Sequence, residues 1–151
     1  MKNPISFGLA ASILALAAAA FPHPAAAQMA FVASTDSLVT MPSESVATLN
    51  AITLPKAGTY VISGQQTFVA YPTSTATPLY CWMANKAGSS TPLATAPAPF
   101  TTIAPPGGYA TLPLNGYLAV TAATTIWLEC RYNNTEIVES TGGALMATQV
   151  K

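Results

Sequence analysis

The chain carries one histidine, His23, and it lies in an N-terminal stretch that reads as removable, so the remaining domain has none. That excludes Ser-His-Asp and Cys-His catalysis, histidine zinc sites and the usual general base near neutral pH. Charge is scarce as well. Charged residues make up 7% of the chain, against about 25% in an ordinary globular domain, so threonine, serine, asparagine and glutamine must carry the solvent contact. No basic cluster is present to pair with phosphates, which excludes nucleic-acid binding. Amphipathic 3.6-residue periodicity is missing too.

What is present begins with an address. Lys2 supplies a positive start, residues 5–21 form an uncharged run rich in Ala, Leu and Ile, and Pro22 and Pro24 end it before Ala25-Ala26-Ala27. This is the pattern of a Sec-type signal helix spanning residues 1–27, with cleavage after Ala27. The run is shorter than the ~20 residues a membrane span needs, so no span is expected once it is cut. The expected product is one domain, residues 28–151, exported to the periplasm, the cell surface or the extracellular space. It keeps Lys56, Lys86, Arg131 and Lys151 against Asp36, Glu44, Glu129, Glu136 and Glu139, four against five, a net charge of −1. A nearly neutral surface repels its own copies weakly, which suits assembly or residence on a surface.

The clearest strand is Thr125-Ile-Trp-Leu-Glu-Cys-Arg-Tyr132. Ile126, Leu128, Cys130 and Tyr132 alternate with Thr125, Trp127, Glu129 and Arg131, the period of two that buries one face. Pro78-Leu-Tyr-Cys-Trp-Met-Ala84 matches it, with Leu79, Cys81 and Met83 opposite Tyr80 and Trp82. The two cysteines thus fall on two inner faces. In an exported chain they predict one disulfide, Cys81–Cys130, either within one sheet or between two.

The remaining segments read as strands and turns. Residues 29–33 suit a sheet edge, and residues 46–54 alternate before the Pro55-Lys-Ala-Gly58 turn. Residues 59–71 form the longest strand signal, with a bulge or bend expected at Gly64-Gln-Gln66. Residues 85–99, with three prolines, predict a long loop, and 100–103 a short strand. Residues 109–114 and 117–121 predict a hairpin about Asn115-Gly116. Residues 144–150 close the chain as a last strand, with Leu145 or Met146 inward. Eight to nine short strands without a helix predict an all-β antiparallel β-sandwich of jelly-roll or Greek-key type. The strands look too short for an outer-membrane barrel.

Few side chains offer chemistry. Glu129 with Glu136 or Glu139 is the one carboxylate pairing of glycosidase type, and solvated surface carboxylates are the expected reading. Asn133-Asn134-Thr135-Glu136 is too thin for calcium and reads as a turn. No catalytic residue, metal or cofactor is expected. The positive signal is aromatic: Tyr80, Trp82 and Trp127 lie opposite the cysteines. There they could stack on sugar rings, bury in an interface, or lie under the 85–99 loop.

Leu54-Pro-Lys-Ala-Gly-Thr-Tyr-Val-Ile62, the two strand cysteines and the closing Gly143-Ala-Leu-Met-Ala-Thr-Gln-Val150 resemble a class of small exported bacterial proteins. That class is similar to the jelly rolls of C1q and tumour necrosis factor. The resemblance implies fold and export and brings no catalytic residues. Because C1q-like domains often trimerise through one sheet face, it also implies a homo-oligomer, with Tyr80, Trp82 and Trp127 as interface candidates. Three roles follow as expectations: a non-enzymatic surface, adhesion or assembly module; a small carbohydrate-binding module meeting a glycan or envelope component; and a subunit of a chaperone-assembled fibre.

Overall fold

The computed structural model describes residues 30–71, 75–93, 98–133 and 137–150. The expected signal segment, residues 1–27, lies outside them, as do residues 134–136 of the Asn133–Glu136 turn. Among the described residues nine strands follow in chain order: β1 (Ala30–Thr35), β2 (Val39–Thr40), β3 (Ala47–Leu54), β4 (Gly58–Ala70), β5 (Thr77–Ala84), β6 (Phe100–Ile103), β7 (Gly108–Val120), β8 (Thr124–Tyr132) and β9 (Val138–Val150). They build two antiparallel sheets. Sheet A runs β1-β9-β4-β7, with β2 also on β9, and sheet B runs β3-β8-β5-β6.

Alternation decides which side chains meet between the sheets. From sheet A, Tyr60, Ile62 and Phe68 of β4 point inward beside Leu112 and Leu114 of β7. From sheet B come Leu79, Cys81 and Met83 of β5 with Ile126, Leu128 and Cys130 of β8, and all of these are buried. Removing one such large side chain from water stabilises the fold by about 1.5–3 kcal/mol, so this set is the main force holding the sheets together. Strands β4, β7 and β9 each run 13 residues, as expected for β4 and longer than expected for β7 and β9, yet their inner faces close on sheet B around a filled core instead of enclosing a lumen.

Cys81 and Cys130 are direct partners across β5 and β8 and are joined by a disulfide. The bridge therefore lies within sheet B, fully buried against the core. Its position also puts Tyr80, Trp82 and Trp127 on one outer face.

Two local expectations are corrected. Asn115-Gly116 is not a hairpin: β7 passes straight through it, Asn115 pairing with Ser63 and Gly116 with Ile62. Leu112, Leu114 and Leu118 stay in phase across the dipeptide, and a two-residue turn would have folded that apolar row back on itself. Nor does Gly64-Gln65-Gln66 bulge, because β4 pairs continuously there with both β7 and β9. Gly64 is required for another reason: a Cβ on it would run into the Ala144 carbonyl of β9. The irregularity falls instead in β9, opposite Thr67 and Phe68. There Gly142 takes φ +125°, and an added Cβ would sit 2.7 Å from the Thr35 carbonyl oxygen. The last strand begins at Val138, earlier than expected, with Leu145 inward and Met146 outward.

Candidate functional site

Outward side chains of sheet B fall into rows set by the register. Phe100, Tyr80 and Arg131 form one row across β6, β5 and β8. Trp82, Glu129 and Thr48 form the next across β5, β8 and β3, and Ala84, Trp127 and Ala51 the one after. The three aromatics singled out in the sequence thus share one face in successive rows. They do not share one environment.

In the middle row Trp82 and Glu129 are covered by the strap that follows β5, residues 85–93. Trp82 is only 6% exposed, and its Nε1–H donates to the Ser89 carbonyl at 2.8 Å. Glu129, expected as a solvated carboxylate, is fully buried. Its outward direction was legible, and the 85–99 loop was weighed as cover for the aromatics, but nothing in the sequence placed that loop on the carboxylate. The Thr48 hydroxyl donates to it at 2.8 and 2.9 Å from its two oxygens, and the Gly88 N–H donates at 2.9 Å. The Leu93 N–H to Met83 carbonyl bond, 2.8 Å, ties down the far end. Trp127 is left half-buried beyond the strap, between two alanines.

On the other side of the strap the surface is open. Phe100 is 57% and Tyr80 36% exposed, their ring centroids 5.0 Å apart and planes inclined by 34°. Arg131 is half-buried next to Tyr80, and among the described residues nothing pairs with its guanidinium.

The outer face of sheet A differs. Val32, Met146, Ser63 and Asn115 form one row across β1, β9, β4 and β7; Thr148, Val61 and Tyr117 form its neighbour. Val32 is 67%, Tyr117 55%, and Val61 and Met146 each 43% exposed. No charged side chain stands in these rows or in the next, Ser34, Ala144, Gln65 and Pro113. Sequence reasoning missed this face. Its signal was there in the outward sets of β1, β4, β7 and β9, which carry Val, Thr, Ser and Tyr where a solvated strand carries Lys or Glu.

Nothing among the described residues assembles a reacting centre. Glu139 points outward from sheet A, its carboxylate 3.4 Å from the Thr40 hydroxyl, so it stands on the opposite sheet from Glu129 and cannot pair with it. No group of three or more His, Cys, Asp or Glu side chains is gathered among the described residues.

No family model matches the chain, and no curated protein is similar to it. Solved structures are. Eiger TNF from S. frugiperda superposes with a TM-score of 0.56 at 8% identity, over 82% of this chain and 93% of that one. The infectious bursal disease virus VP2 subviral particle gives 0.52 at 14% identity, over 97% of this chain and 37% of that one. The infectious bursal disease virus Gx strain gives 0.50 at 14%, over 80% and 33%. The fold is a jelly roll of this kind. The chain spans roughly a third of the viral proteins' length. At such identities the likeness carries architecture alone, and function must come from the surfaces.

Proposed function

We propose that the protein is an exported, non-enzymatic assembly module that associates with copies of itself through the outer face of sheet A. The observation that carries this is the uncharged patch of Val32, Val61, Tyr117 and Met146 laid out side by side by the register. Contiguous apolar surface of this kind on a soluble domain marks an interaction site. A second copy is the occupant that fits, because two such faces bring no like charges together and leave no buried ion unpaired. The buried disulfide supports an oxidising compartment and hence export.

A donor-strand fibre subunit fits less well. Such a subunit exposes a core groove until a neighbour fills it. Here β9 is paired on both sides, and Phe31 and Ala33 of β1 already pack on the core.

Light scattering over a dilution series tests the proposal. A stable oligomer that Val61→Lys with Met146→Lys converts to monomer is the expected result. A monomer at every concentration, or an oligomer indifferent to both lysines, would refute it.

A further inference from the structure

Sheet B carries a second exposed surface of different chemistry. Phe100 and Tyr80 form one apolar area on adjacent strands, and Arg131 extends the same row on the other side of Tyr80. The next row outward holds Pro78 and the exposed Thr102. Neighbouring strands lie about 4.8 Å apart, so the three-strand row spans roughly 10 Å. We infer that this row is a binding site for a polysaccharide whose rings carry carboxylates, a hexuronate polymer.

Each part of the row answers to a part of that ligand. The aromatic pair offers a surface for the C–H faces of pyranose rings, and large aromatics with one polar end recur where a ligand is half apolar and half wet. The phenol of Tyr80 and the hydroxyl of Thr102 stand beside it to exchange hydrogen bonds with ring hydroxyls. Arg131 supplies a planar donor fork that matches a carboxylate. With no partner among the described residues, it is the cation this row can give to a ligand. Pairing it with a carboxylated ring is charge complementarity on a surface that is otherwise almost uncharged. The site is an open row of a sheet, whereas small molecules are held in concave pockets that bury most of their surface. A chain that lies along the surface suits it better.

Trp82 takes no part, since the strap covers it, and this separates the site from the broader aromatic face read in the sequence. The site stands on the sheet opposite the proposed self-association face and does not rest on that reading. A monomer would use it singly, and an assembly would present several copies and bind more tightly by avidity.

Calorimetric titration of the whole exported protein tests this with oligomers of galacturonate, glucuronate and mannuronate. The methyl ester of the galacturonate oligomer and a thymidylate oligomer serve as comparisons. The expected result is binding to at least one hexuronate, weakened by added salt. Tyr80→Ala and Phe100→Ala should each weaken it about fivefold to tenfold. Arg131→Gln should remove the preference for free acid over ester. Binding to none of the three hexuronates would overturn the inference. So would equal binding of acid and ester, or affinity unchanged in both aromatic variants. Preference for the thymidylate oligomer would also overturn it and reassign the row to base stacking. The variants sit on exposed or half-exposed positions, and an unchanged thermal midpoint shows that they fold.

Discussion

Trp82 and Glu129 are direct cross-strand partners on the outer face of sheet B, and adjacent residues of one strap cap them both. Ser89 takes the indole N–H and Gly88 gives its N–H to the carboxylate. Glu129 is a buried acceptor that, among the described residues, is held by hydrogen bonds and by no cation. Glu129→Leu should leave the Gly88 N–H only its longer bond to the Thr48 hydroxyl, 3.3 Å, and cost about 1–3 kcal/mol. It should also free the strap, so that Trp82 emission moves to the red and acrylamide quenches it more strongly. If emission and quenching match wild type, the carboxylate is not what holds the strap.

The disulfide closes 49 residues and is buried on both sides. By the loop-closure account its removal costs roughly 4 kcal/mol, a large share of the stability of one small domain. A Cys81→Ala, Cys130→Ala variant should therefore show a much lower urea midpoint. In the folded wild type, mild reductant should reach neither sulfur, and thiol labelling should appear only once denaturant is added. Labelling in the absence of denaturant would contradict the buried placement.

Gln66 is fully buried in the inner face of β4, its Nε2–H donating to the Ser140 hydroxyl at 2.6 Å while Oε1 has no partner. Ser140→Ala alone should cost about 1–3 kcal/mol, because it strands the amide nitrogen as well. Adding Gln66→Met removes the whole polar pair for similar volume. The double variant should regain that loss and come out at or above wild-type stability. A double variant weaker than Ser140→Ala would show that the amide contributes something this pairing does not explain.

The Tyr132 hydroxyl donates to the Met41 carbonyl at 3.3 Å, and burial pushes its phenol above the ordinary 10.0, with a Ser43 hydrogen bond pulling partly back. A raised value means that the folded state holds the proton longer than the unfolded chain does. The stability this contributes is full below about pH 10 and is lost as pH rises through the folded value. The urea midpoint should fall in that alkaline window, and Tyr132→Phe should flatten the fall. An identical fall in the variant would locate the alkaline weakness elsewhere.

Much of this architecture was readable in the chain. Strands β5 and β8 alternate without a break, and the cysteines sit in their apolar phase, so both the sandwich and the bridge followed from local pattern. What was hidden depends on distant pairing. Glu129 reads as an outward residue, and outward normally means solvated; only the strap returning from β5 buries it. Asn115-Gly116 carries the local chemistry of a hairpin, but the ladder to Ser63 and Ile62 keeps it extended. Val32 and Met146 look like isolated surface residues over a hundred positions apart until antiparallel register sets them side by side.

That same register has a consequence for the nascent chain. Among the described residues of sheet A, β1 and β2 pair as strands only with β9, which also separates β1 from β4. Neither strand has its sheet partner until the segment from Val138 onward has been made. Sheet A is therefore the later of the two to close, since every described strand of sheet B has been made by Tyr132, before β9 exists.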